Sequence, residues 1–131
     1  SRNIVLETHW RFSPAIIPMD INKLQQAFLN FIKNAMESIT DRGKITIAVS
    51  REGKKHVLVS IADTGCGMTP EEIEKVFSPE YTTKEKGLGL GIPLATEIIR
   101  GHGGDVRVIS RPGEGTTFEI VLPMEKIGEK T

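Results

Sequence analysis

The sequence predicts a two-layer α/β sandwich, in which a mixed, largely antiparallel sheet is covered on one face by helices. Three observations carry this. Segments 44–51 with 56–63, and 105–110 with 116–122, alternate apolar and polar residues around short glycine-containing connections and read as two hairpins. Between residues 20 and 40 the apolar residues recur at helical spacing. Two shorter helical segments stand between the hairpins, so helices and hairpins alternate along one chain of 131 residues. That length fits one domain and is enough to bury a core.

The elements follow in order. Ile4 and Leu6, with Thr8, alternate with Val5 and Glu7 as a first strand. Pro14 and Pro18 make 11–19 a connection. Asp20 suits a helix N-cap. After it Leu24, Phe28, Phe31, Ile32, Ala35 and Ile39 form the buried face of a helix of about 20 residues, which Asp41-Arg42-Gly43 ends. The first hairpin points Ile45, Ile47 and Val49, then Val57, Val59 and Ile61, to one side. Thr69 caps a short helix, with Pro70 at its first position and Glu72 closing a capping box. It runs to about Phe77. Residues 78–91 show no period and read as a long loop, a form that small domains use for lids and binding loops. A further helix fits 92–100, with Pro93 near its start and Gly101 near its end. The second hairpin turns on R-P-G-E-G.

Composition removes several classes of function. Seventeen basic and 17 acidic residues cancel, which argues against a general nucleic-acid or anionic-membrane surface. The lone Cys66 cannot form an internal disulfide or a multi-cysteine zinc site, so a reducing, intracellular setting is expected. No apolar run approaches the roughly 20 residues that span a bilayer. The chain enters a strand-like run at once and reads as a domain excised from a longer parent.

Three stretches carry chemistry. On the long helix, Asn30, Asn34 and Glu37 fall four and three residues apart and share a face, with Lys33 and Ser38 nearby. This is either a solvated face or a row of amide oxygens turned to a ligand. An amide oxygen can ligate Mg²⁺ when phosphates supply most of the charge. Next, Asp63 ends an apolar strand and is followed by Gly65 and Gly67. The stretch is either a plain turn or a carboxylate at the edge of the core. In the second case it accepts a hydrogen bond from an exocyclic amine, with glycines that let a flat ring approach. Cys66 reads as a small packed residue, since His9, His56 and His102 stand apart from it and from one another. Last, K-E-K-G-L-G-L-G-I at 84–92 is neither a Walker A loop nor a Rossmann turn. It fits a glycine-rich backbone leading into a helix N-terminus, which attracts phosphate, with Lys84 and Lys86 adding charge.

Taken in order, N-F-I-K-N-A, D-T-G-C-G-M and F-S-P-E-Y-T-T-K with G-L-G-L-G resemble the catalytic, ATP-binding domain of sensor histidine kinases in the GHKL superfamily. The resemblance runs over nearly the whole chain and implies the Bergerat fold. Asn30 and Asn34 match the N box, and Asp63, Gly65 and Gly67 the first glycine box. Residues 77–84 resemble the F box, and Gly87, Gly89 and Gly91 match the second glycine box. The tail from His102 resembles the closing hairpin, with Gly115 and Thr116 in its turn.

The resemblance implies roles. Asn34 should ligate Mg²⁺, and Asn30 should lie by the phosphates. Asp63 should bind the adenine amine, partly through water shared with Thr116. Met68 and Phe77 should border the nucleotide, and residues 69–86 should form a mobile lid. Thr83 and Lys84 should reach the phosphates, and Gly87, Leu88, Gly89, Leu90 and Gly91 should run along them. Two departures stand out: Leu88 replaces a threonine common in relatives, and Glu37 sits where some relatives place a basic residue.

GHKL ATPases such as gyrase, MutL and the heat-shock chaperones carry a Glu where this chain has Asn30. An amide cannot act as the general base for water. Transfer from ATP to an external nucleophile is the implied reaction, catalysed by positioning and charge neutralisation with Asn30 and Lys84 in the site. The implied nucleophile is a histidine on the parent's dimerisation domain, absent from this chain, with a response regulator downstream. The implied setting is cytoplasmic, with the isolated domain monomeric and the parent free to be membrane-anchored. A GHKL serine kinase of the anti-sigma type and a non-catalytic nucleotide sensor are the alternatives.

Overall fold

The structure is a computed structural model that describes residues 3–10, 20–78 and 91–124. Along the chain the elements are β1 (Asn3–Trp10), α1 (Ile21–Glu37), β2 (Arg42–Glu52), β3 (His56–Asp63), α2 (Pro70–Lys75), α3 (Gly91–Gly101), β4 (Asp105–Ser110) and β5 (Thr116–Pro123). The connection expected at 11–19 and the loop at 79–90 lie outside the described residues.

The five strands form one sheet in the order β1-β2-β3-β5-β4. β1 pairs with β2 in parallel, and every other pair is antiparallel. Parallel neighbours need a crossover, and α1 lies in the one between them. The registers stack residues in rows on the helix-facing side. One row is Ile47, Ile61, Phe118 and Val108. The next is Val49, Val59, Ile120 and Val106. On the opposite face Ala48, Ser60, Glu119 and Arg107 make a row of small and charged side chains, and no helix is needed to cover it.

α1 seals the apolar face with Leu24, Ala27, Phe31 and Ala35, and α3 with Ile92, Ala95, Thr96 and Ile99. Phe31 lies 5.2 Å from Phe118, and Phe77 meets the same ring edge-on at 6.5 Å. Phe28 and Ile32, expected in the core, are only partly buried against it. Leu6 is 59% exposed, because edge strand β1 lies beyond the cover of the helices.

Element ends follow from capping. Asp20 accepts from the Lys23 N–H, as the sequence predicts. α1 stops at Glu37 with Ser38 as its C-cap, earlier than Asp41-Arg42-Gly43, because Arg42 and Gly43 already pair with Asn3 and Ile4 of β1. Thr69 and Glu72 form the reciprocal capping box of α2, which ends at Lys75, short of Phe77. α3 closes through H-G-G. Gly103 takes φ +83°, the Gly104 N–H returns to the Ile99 carbonyl, and a Cβ on Gly104 would collide with the Val121 carbonyl oxygen.

His102 does a separate job. Its Nε2 accepts the Asp20 N–H at 2.9 Å, so the ring proton sits on Nδ1 and is given to the Ile98 carbonyl at 2.9 Å. The start of α1 is thereby tied to the end of α3. With the two helices packed and tied at that end, they run antiparallel, and their lengths of 17 and 11 residues bring the start of α3 towards the C-terminal half of α1.

Candidate functional site

The helix-facing side of the sheet changes character at its last row. The registers place Leu6, Ile45, Asp63, Thr116 and Ser110 in line across all five strands. Three of the five are polar, whereas the rows behind them are apolar. Asp63 is 6% exposed. Its Oδ1 accepts the Gly65 N–H at 2.8 Å. Burial raises the carboxyl above its ordinary range, and the Gly65 N–H, the Ser38 hydroxyl and the Thr116 backbone offset part of that rise. The Ala35 carbonyl competes for the single Ser38 proton at 2.8 Å.

Three chain segments close around this carboxylate. The Cys66 N–H donates to the Ser38 carbonyl at 3.0 Å, docking the loop after β3 onto the C-cap of α1. The Gly113 N–H donates to the Cys66 carbonyl at 2.7 Å, docking the β4–β5 turn onto the same loop. Ser110 Oγ accepts the Met68 N–H at 2.9 Å and lies 2.7 Å from Thr116 Oγ1.

The glycines of D-T-G-C-G are required by this closure whether or not a ring approaches them. A Cβ at Gly65 would collide with Ser38, and one at Gly67 (φ +71°) with the Arg111 carbonyl. Gly115 (φ +79°) faces the Asp63 carbonyl in the same way. Gly91 differs: among the described residues nothing lies within 4 Å of a Cβ built there.

The remaining predicted residues sort by position. Asn30 and Asn34 are half-buried on α1, and among the described residues neither side-chain amide has a hydrogen-bond partner. Asn30 also borders an open groove of about 550 Å³ along the flank of α1, with Gln26, Leu29 and Lys33. Glu37 is exposed. Met68 is buried in the core, and Phe77 lies between Phe118, which it meets edge-on, and the Arg100 guanidinium, 5.8 Å from its centroid. Thr83, Lys84, Gly87, Leu88, Gly89 and Leu90 lie outside the described residues, as does the F box beyond Ser78. Sequence reasoning missed Ser110 altogether and Ser38 as a partner of Asp63. The signal for Ser110 was the hydroxyl pair flanking a hairpin turn, S-R-P-G-E-G-T, whose register sets the two opposite each other.

Comparisons with known proteins agree with this fold. Residues 19–126 match the histidine kinase-, DNA gyrase B-, and HSP90-like ATPase family. Sporulation kinase C of Bacillus subtilis (strain 168) is 37% identical over 124 residues, covering 94% of this chain and 29% of that protein. The signal transduction histidine-protein kinase AtoS of Escherichia coli (strain K12) is 42% identical over 115 residues, 88% of this chain and 19% of its own length. The chain thus spans under a third of these curated relatives. In three dimensions it is similar to the nucleotide-free catalytic domain of histidine kinase ThkA, with a TM-score of 0.80 and 31% identity over 92% of this chain and 80% of that one. On sequence, topology and the order of its motifs, the chain belongs to the histidine kinase-, DNA gyrase B- and HSP90-like ATPase family.

Proposed function

We propose that the chain is the catalytic domain of a two-component sensor histidine kinase, binding Mg-ATP and passing the γ-phosphoryl group to a histidine on the parent's dimerisation domain. The observation that carries this is the buried carboxylate of Asp63 at the polar end of an otherwise apolar sheet face, beside Thr116. An ionised carboxylate only accepts hydrogen bonds, so it selects a donor, and the adenine amine is one. The glycine stretch 87–91 is proposed to bring the phosphates to the start of α3, where first-turn N–H groups favour anions. Leu88 leaves this contact to backbone groups. Thr83 and Lys84 add side-chain contacts from the lid.

The residues present fit a magnesium ion held mainly by phosphate. The Asn34 amide oxygen is without a partner among the described residues, and these contain no cluster of three or more His, Cys, Asp or Glu that would make a protein-only site. Bound there, the ion supplies charge neutralisation on the phosphates. Asn30 orients phosphate oxygens but takes no proton, so the site does not activate water. The acceptor imidazole is nucleophilic when neutral and needs little activation. Among the described residues no helix is long and apolar enough to cross a membrane. The isolated domain is a monomer; in its parent it lies on the cytoplasmic side and serves a response regulator indirectly, through the phosphorylated histidine.

Calorimetry with ATP, with and without Mg²⁺, on the unmodified chain and on Asn34→Ala tests the site. Nucleotide binding should persist in the variant while its magnesium dependence disappears; an unchanged magnesium effect contradicts the assignment. Mixing the chain with ATP and a separately prepared acceptor domain tests the reaction. The product should be acid-labile; an acid-stable phosphoserine would make the chain a serine kinase instead.

A further inference from the structure

Ser110 ends β4 directly opposite Thr116, the first residue of β5, and makes three close polar contacts. Its Oγ accepts the Met68 N–H at 2.9 Å, lies 2.9 Å from the Gly115 carbonyl oxygen, and lies 2.7 Å from Thr116 Oγ1. A hydroxyl has one proton and two acceptor positions. The Gly115 carbonyl can only accept, so the Ser110 proton goes there. The Met68 N–H takes one acceptor position. The remaining position faces Thr116, which must therefore be the donor. The opposite assignment would set Ser110 lone pairs against the carbonyl oxygen. With its proton committed to Ser110, the buried Thr116 hydroxyl offers only lone pairs to whatever lies beyond it.

We propose that Ser110 is a specificity-determining positioning residue: it locks the Thr116 hydroxyl as an acceptor, so that the Asp63–Thr116 edge selects a purine bearing an amine over one bearing a carbonyl. This rests on the reading that the base sits against Asp63. Asp63 alone repels a carbonyl oxygen, but a freely turning threonine hydroxyl would donate to that oxygen and soften the discrimination. Ser110 removes the option. The same serine ties the loop after β3 to the hairpin through Met68, so the acceptor edge and the loop that frames it are fixed by one side chain.

The test is calorimetric titration of the chain with ATP and with GTP, in the unmodified protein and in Ser110→Ala, Ser110→Thr, Thr116→Val, the double variant Ser110→Ala/Thr116→Val, and Asp63→Asn. Ser110→Ala should lower the ATP-over-GTP affinity ratio by about fivefold to tenfold, the scale of one misaligned hydrogen bond. Ser110→Thr keeps a hydroxyl and should restore the ratio. In the Thr116→Val background Ser110→Ala should change the ratio no further, because the residue it acts through is gone. A loss of fold would weaken both nucleotides together and leave the ratio standing, which counts against the proposal. If Asp63→Asn collapses the ratio and Ser110→Ala does not, Ser110 has no such role. If Asp63→Asn leaves the ratio unchanged, the base is not at Asp63 and both readings fall.

Discussion

Replacing Gly67 by alanine separates two costs that glycine substitutions usually mix. Gly53 and Gly67 have nearly the same backbone, φ +68° and +71°. Alanine in that left-handed region costs about 1–2 kcal/mol, partly offset by a less flexible unfolded chain. At Gly53 nothing lies within 4 Å of the new Cβ, so the loss should stop near 1 kcal/mol. At Gly67 the Cβ would overlap the Arg111 carbonyl oxygen and stand 2.8 Å from its carbon. The loop and the β4–β5 turn must then part. Two contacts go with them: Gly113 N–H to Cys66 O at 2.7 Å, and Met68 N–H to Ser110 Oγ at 2.9 Å. At about 1 kcal/mol for each bond, Gly67→Ala should lose roughly 3–4 kcal/mol in all. For a chain of this length 1 kcal/mol moves Tm by about 3–4 °C, which gives a drop of roughly 10–15 °C against 3–4 °C for Gly53→Ala. Urea melts followed by circular dichroism measure both, at equal m-values. Equal losses in the two variants would mean that the turn does not press on Gly67, and the closure around Asp63 would have to be redrawn.

Other outcomes follow from single contacts. Burial holds the Asp63 carboxyl above its ordinary range, so its ionised form opposes folding once pH exceeds the folded-state pKa. Asp63→Asn should therefore raise the Tm of the nucleotide-free chain at neutral pH, and the gain should fade as pH falls through that pKa towards the unfolded value; a lower Tm at pH 7.5 contradicts this. Thr96 Oγ1 is buried on α3 without a hydrogen-bond partner among the described residues. Thr96→Val keeps the shape and should stabilise the domain by about 1 kcal/mol in the same melts. Gly91→Ala meets no described atom and gains helix propensity, so Tm should hold or rise while ATP affinity falls about tenfold if the phosphates approach that backbone. Unaltered ATP binding would remove Gly91 from the phosphate site.

Most of the fold was legible because local chemistry and tertiary pairing agree. Asp20, the Thr69–Glu72 box and both hairpins stand where their residues place them. The end of α1 was not legible, since Arg42 and Gly43 are claimed by β1, a partner about 40 positions away in the chain. The exposure of Leu6 was hidden for a related reason: alternation marks a strand but not its place at a sheet edge. At the site, the type and position of Asp63 left two readings open, and Thr116 was picked out only by the resemblance of its turn. Their shared row with Ser110 depends on register, and the contact of Gly65 with Ser38 depends on a helix end packing on a loop. The first shows locally only as the two hydroxyls that flank the S-R-P-G-E-G-T turn, and the second leaves no local signature.

The antiparallel helices also give the site its polarity. His102 ties the start of α1 to the end of α3, so the N-terminus of the shorter α3 lies towards the C-terminal half of α1, short of its end. A helix C-terminus carries partial negative charge, and an N-terminus partial positive charge. No basic residue in the last turn of α1 dulls its negative end. That end adjoins Asp63 through Ser38, and both favour a hydrogen-bond donor such as an amine. The start of α3 favours an anion. A ligand with an amine at one end and phosphates at the other therefore meets matching charge in only one orientation. Reversed, it would set phosphate against a buried carboxylate and a helix C-terminus.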